Sequence, residues 1–243
     1  MIWAFFTASF AQNKDFDAQW SAANQAYEQK NYEQAATIYQ ELVNGGHASP
    51  AVFYNLGNAY FRLNENPKAI YYYAKTIHLV PNNTLARENL LVAQSKIQNP
   101  ITELKPVFFV SWWYGITSFL GVNFLAVLAI LFFVGILIVL FLHFSGKRNI
   151  SYLGRWVAAI SAIWVVFLLL YLSALQQKNT LHAVVMAADQ PFYESAEQNA
   201  SQINVPAGTL LVVEVKNKNQ LQVRLPNGAK GWMNHENLKI VEE

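Results

Sequence analysis

The residue types that usually do chemistry are present but scattered. His47, His78, His143, His182 and His235 fall on separate segments, with no His-x-x-x-His pair and no paired carboxylates at a spacing that would hold a metal ion. Ser9, Ser49 and Ser111 stand in no Gly-x-Ser-x-Gly elbow, and no glycine-rich phosphate loop occurs. The chain has no cysteine, which excludes disulfides, thiolate metal sites and cysteine nucleophiles. His143 sits at the end of a long apolar run, where a proton relay would need ionisable partners that the run lacks. The expectation is a protein that is not an enzyme, with no catalytic residues, no metal and no cofactor. Binding chemistry is better represented. Asn24 and Asn58 recur 34 residues apart, the first beside Trp20, Tyr27 and Glu28, the second beside Tyr54, Phe61 and Arg62. An Asn side chain offers a donor and an acceptor together, which suits an extended peptide backbone, while the rings supply apolar area. The same two Asn residues are equally suited to bonding within the fold itself.

These residues must be positioned by helices. From Phe16 to Gln98 the apolar pattern is helical, and an offset of 34 pairs Ala23 with Gly57, Asn24 with Asn58, Ala35 with Ala69 and Tyr39 with Tyr73. That period, and the segment FYNLGNAYFRLNENPKAIYYYAKTIHLVP from Phe53 to Pro81, resemble the tetratricopeptide repeat. Gly57 and Ala69 let two antiparallel helices approach closely, the aromatic rings fill the gap, and Pro81 stops the second helix. The copy at Trp20 to Gly46 is degenerate, with Ala22 and Ala26 where the second has Leu56 and Tyr60. Residues 84–97 are expected to cap the stack, giving a repeat domain over residues 12–99. In this family the first helix of each pair lines a concave groove, so the resemblance implies a partner-binding face at Trp20, Asn24, Tyr27, Tyr54, Asn58, Phe61 and Arg62. One cation is too few for the carboxylate clamp of chaperone-binding relatives.

Beyond Lys178 the pattern changes to short strands, read at 182–187, 210–215, 221–225 and 231–234, with turns at Pro206-Ala207-Gly208 and Pro226-Asn227-Gly228. About five such strands predict a small all-β barrel over residues 180–243. Val205-Pro206-Ala207-Gly208-Thr209 and Leu225-Pro226-Asn227-Gly228-Ala229-Lys230-Gly231-Trp232 resemble two motifs of bacterial SH3-like domains, although Leu221 stands where that family often has Trp. Tyr193 and Trp232 are the candidate ligand face, although a Trp at the position of Trp232 in a small barrel is more often at least partly structural.

Between these regions the chain is apolar. Fifteen Leu, Ile, Val or Phe residues lie between Phe124 and Phe141, which sums to about −7 kcal/mol of insertion free energy. The first span is placed within residues 107–144, preceded by an interfacial segment at Val107 to Tyr114, and the second over 156–175. Trp112, Trp113, Tyr114, Trp156 and Tyr171 suit the headgroup zone. Residues 12–106 carry eight basic and eight acidic groups, and residues 176–243 carry six and seven. The whole +2 excess therefore comes from Lys147, Arg148 and Arg155, which places loop 145–155 in the cytoplasm and both flanking domains in the periplasm, on a bacterial inner membrane. The near-neutral domains give no footprint for nucleic acid. Residues 1–11, MIWAFFTASFA, fit a signal peptide that lacks its basic start, as a shortened leader would.

The order of parts, with the Trp112-Trp113-Tyr114-Gly115 entry to the spans, resembles the E-type family of the Bacteroides aerotolerance (Bat) operon. The resemblance implies a multi-domain membrane protein in envelope stress tolerance, beside Bat proteins with von Willebrand factor A domains and a MoxR-type ATPase. The expected function is a membrane-anchored scaffold with protein partners and the lipid bilayer; the alternative is an envelope sensor or cell-wall binder whose barrel captures peptidoglycan.

Overall fold

The computed structural model describes residues 2–104, 107–145, 153–195, 202–217 and 219–242, with side chains from Asp15 onward except those of Leu153 and Gln202. The side chains of the leader expected at 1–11, and most of the basic loop with Lys147 and Arg148, lie outside the described residues. The chain forms two compact units, residues 1–104 with 181–243, and residues 105–180.

The first unit begins with five helices: α1 (Ile2–Glu28), α2 (Tyr32–Asn44), α3 (Pro50–Arg62), α4 (Asn66–Leu79) and α5 (Thr84–Gln94). Their starts follow from capping residues. Asn31 Oδ1 accepts from the Gln34 amide, Ser49 Oγ from the Val52 amide ahead of Pro50, and Asn83 Oδ1 from the Ala86 amide. Two residues past the ends of α1 and α3 stand left-handed residues, Lys30 (φ 62°) and Asn64 (φ 60°), one repeat length apart. Ala23, Ala35, Tyr39, Val52, Phe53 and Leu56 are buried in the core between the helices. Gly57 is needed for close approach: an added Cβ would stand 2.8 Å from the Tyr73 ring.

The same unit holds seven strands: β1 (Leu181–Val185), β2 (Gln190–Tyr193), β3 (Gln202–Val205), β4 (Leu210–Lys216), β5 (Gln220–Arg224), β6 (Lys230–Asn234) and β7 (Leu238–Val241). The expected barrel is not closed. The antiparallel order is β3-β2-β6-β5-β4-β1-β7, with β3 and β7 at the two ends and no pairing between them among the described residues. Closure requires pairing to continue around a ring at a fixed stagger. Here the β2–β3 hairpin is tied to β6 through one residue pair, Tyr193 opposite Trp232, and among the described residues no further strand pairs with β3. The sheet nevertheless bends around a single core, because all seven strands contribute buried side chains to it, among them Phe192, Val205, Leu221, Met233 and Leu238.

Helices and sheet share buried surface. Ile70, Ala74 and Ala93 of α4 and α5 pack with Val184 of β1 and Val241 of β7. Ile101 reaches the sheet core, and the Leu104 amide donates to the Pro226 carbonyl at 3.1 Å. The helical segment and the sheet thus fall in one compact unit.

The second unit contains α6 (Phe108–Leu120), α7 (Val122–Phe144) and α8 (Leu153–Lys178). α7 and α8 are antiparallel: Leu125 packs with Leu170 and Ala174, and the Phe132 ring stacks on Phe167 at 5.1 Å. Val122–Phe144 and Gly154–Lys178 are long and apolar enough to cross a membrane, and only 11% of each apolar stretch is buried, unlike the core helices of a water-soluble domain. Gly121, in the left-handed region at φ 73°, separates α6 from α7.

Candidate functional site

A cleft of about 310 Å³ opens on the helical face, lined by Tyr27 of α1, Tyr54, Asn58 and Phe61 of α3, Tyr73 of α4, and Asn89 and Val92 of α5. Helices α1, α3 and α5 supply six of the seven lining residues, because alternate helices of the stack share this face and side chains spaced three and four apart share one side of a helix. Four rings give the cleft its apolar walls and two amides its polar floor. The lining carries no carboxylate, imidazole or ammonium group.

The floor is a hydrogen-bonded network of four residues. The Tyr73 hydroxyl donates to Asn58 Oδ1 at 2.8 Å, and Asn89 Nδ2 donates to Asn58 Oδ1 at 3.0 Å and to the Tyr54 hydroxyl at 3.1 Å. One repeat earlier the same constellation is present: the Tyr39 hydroxyl donates to Asn24 Oδ1 at 2.6 Å, and Asn55 Nδ2 donates to it at 3.3 Å. Burial pushes the Tyr39 and Tyr73 hydroxyls up from their ordinary value, so both remain protonated donors. Burial also raises Tyr27, opposed by the Arg62 guanidinium.

Of the residues expected on the partner face, Tyr27, Tyr54, Asn58 and Phe61 meet in the cleft. Of the other three, Trp20 and Asn24 lie outside it, while Arg62 stands beside Tyr27 at its edge. Trp20 packs edge-on against Tyr39 at 5.7 Å and stacks on Phe16, closing the edge of the first pair. Asn24 is bonded within the stack, and the Arg62 guanidinium lies 4.5 Å over the Tyr32 ring in a cation–π contact. Sequence reasoning missed Tyr73, Asn89 and Val92. The missed signal was in the register, since Asn55 and Asn89 are themselves 34 residues apart.

Tyr193 and Trp232 face each other across neighbouring strands, and both are half-buried. Phe192, Gly231 and Met233 beside them are buried in the core, so the alternation of side chains puts this ring pair on the outer face of the sheet. An added Cβ at Gly231 would collide with the Tyr193 carbonyl and stand 2.5 Å from Phe192 Cζ; only glycine lets β2 lie against β6 here.

Residues 17–44 and 50–83 each match the tetratricopeptide repeat family. Both segments are tetratricopeptide repeats. They coincide with the two helix pairs, and α5 follows as a further first helix whose face toward α4 is shared with the sheet. Comparison with curated proteins finds none that matches the chain. Tetratricopeptide repeats are protein-interaction modules, and the cleft lies on the face where first helices meet.

Proposed function

We propose that the protein is a membrane-anchored, non-enzymatic adaptor of the bacterial envelope that holds an extended segment of another envelope protein in its repeat cleft. The Asn58–Asn89 pair carries this reading. Asn58 Oδ1 is occupied by two donors, while among the described residues no protein group takes the Asn58 N–H donors or the Asn89 carbonyl oxygen. One donor and one acceptor side by side suit the C=O and N–H of an extended backbone, and the surrounding rings of Tyr27, Tyr54 and Phe61 suit one large apolar side chain. Anchoring by two spans with both chain ends periplasmic is supported by the shared core of residues 1–104 and 181–243, which requires both ends of the α7–α8 hairpin on one side. The basic residues of loop 145–155 support a cytoplasmic turn. The order of parts supports a place in a stress-related complex beside Bat proteins. The test is co-purification from detergent with wild type and with Asn58→Ala/Asn89→Ala of equal helical content. Loss of specific partners is expected; equal recovery of every partner overturns the cleft as the docking site. A periplasm-dependent reporter should be active after Glu243 and silent near Arg148.

A second reading is favoured by the outward ring pair Tyr193–Trp232: the sheet as a cell-wall ligand module. Trp232→Ala with an unchanged melting temperature and lost sedimentation with peptidoglycan would support it.

A further inference from the structure

Helix α6 has two unlike sides. Trp113, Ile116 and Leu120 pack against the buried cluster of Leu125, Leu170 and Ala174, and the buried Thr117 hydroxyl accepts from Gln177 Nε2 at 2.9 Å. Phe108, Trp112 and Phe119, spaced four and seven residues apart, fall on one stripe and are 84%, 69% and 83% exposed. Tyr114 points to the opposite side of the helix by the same spacing, near Ser111 and Ser118. The helix carries no charge, and its thirteen residues make it about 20 Å long, too short to span a bilayer.

The attachments of α6 fix where this stripe lies. Its C-terminal end is one residue from the start of α7, and Gln177 lies at the C-terminal end of α8. In an antiparallel hairpin those two ends are at the same membrane surface. Three large rings left in water there would be costly, whereas aromatic rings at the headgroup boundary are favoured.

We propose that α6 is a monotopic collar, clamped to α8 through Thr117–Gln177 and sunk by the Phe108, Trp112 and Phe119 stripe into the lipid around the spans. This rests on the reading of α7 and α8 as membrane spans. The occupant of the stripe is the headgroup–acyl boundary, because one residue beyond α6 the chain enters the apolar helix α7, whose Phe124 and Val127 are likewise exposed.

The chain has no cysteine, so single cysteines at Phe108, Trp112, Phe119, Tyr114 and Leu131 each carry one spin label. The full chain is reconstituted in vesicles of phosphatidylethanolamine and phosphatidylglycerol, and collision with oxygen and with a water-soluble nickel chelate is compared. Labels at Phe108, Trp112 and Phe119 should collide several-fold more with oxygen than with nickel chelate, the label at Tyr114 should show the reverse, and the label at Leu131 should be deepest. Stripe labels shielded from both reagents would mean that protein covers the stripe, and would overturn the proposal. Stripe labels open to nickel chelate with Leu131 in lipid would overturn the collar alone, while Leu131 open to nickel chelate would overturn the spanning reading as well. Adding Thr117→Val to the Trp112 label should narrow its spectrum as the clamp loosens; an unchanged line shape would overturn the clamp.

Discussion

The Tyr73 hydroxyl donates to Asn58 Oδ1 at 2.8 Å, repeating at an interval of 34 residues the bond from Tyr39 to Asn24. Each bond ties the first helix of a pair to the second from inside the helix stack. Tyr73→Phe keeps the ring and removes only the donor, at an expected cost of about 1 kcal/mol. Denaturant melts of the variant check it, and an unchanged midpoint would mean that another donor replaces the hydroxyl without cost.

Alkaline pH should act on the same residues. Burial raises the hydroxyls of Tyr27, Tyr39, Tyr60, Tyr71, Tyr72 and Tyr73 in the folded state, so the folded protein keeps protons that the unfolded chain releases near the ordinary value of 10.0. The stability from these groups is fully present below that pH and is lost as pH rises through their folded-state values. Absorbance of tyrosinate should therefore lag behind that of free tyrosine above pH 10 and then rise together with loss of helical circular dichroism. Simple titration with helices intact would contradict it.

The helical fold was legible because repeats write their packing into sequence: Gly57 and Ala69 at close contacts, Tyr39 and Tyr73 at filled gaps, Pro81 at a stop. Half of the cleft was legible for the same reason. Asn89 was not, since its partner Asn55 occupies a polar position outside the packing pattern. Trp20 and Asn24 turn to neighbours within the stack because register fixes a helix face and leaves open which neighbour a side chain chooses. In the sheet, β2 contains Pro191 and is four residues long, as are β3 and β7, so alternation was too short to read. Whether seven strands close depends on pairings between distant segments, which no local pattern encodes.

Gly57→Ala tests the close approach of α3 and α4. The new methyl group meets the Tyr73 ring, and Tyr73 is buried and hydrogen-bonded, so the helices must part. Overpacking of this kind is expected to cost about 1–3 kcal/mol. Thermal melts report the loss, and retention of wild-type stability would show that the ring turns aside freely.

Gly231→Ala should act on the sheet. The obstacle is the Tyr193 backbone as well as the Phe192 ring, and β2 joins β6 through that one pair, so the β2–β3 hairpin is expected to detach. Amide exchange should quicken at Phe192 and at Ile203 to Val205 while β4 and β5 stay protected. Uniform protection would show that β6 shifts instead.

The shared core of helices and sheet predicts how the first unit unfolds. Ile70 is fully buried, and its Cδ1 would lie 3.1 Å from a Cβ added at Gly208, a left-handed turn residue whose missing side chain lets the β3–β4 turn sit on α4. Val241 is buried in the same cluster, beside Val184. Ile70→Ala should cost about 2–5 kcal/mol, because a cavity would open between two packed surfaces. Val241→Asp buries a carboxylate there without a partner cation and should separate the two parts altogether. In calorimetry of the detergent-solubilised chain, wild type should lose helices and sheet in one transition and Val241→Asp in two. Val215→Asp, on an exposed position of β4, serves as the control and should leave the single transition in place. If wild type itself melts in two steps, the buried contacts of Ile70 and Val241 do not couple the helices to the sheet.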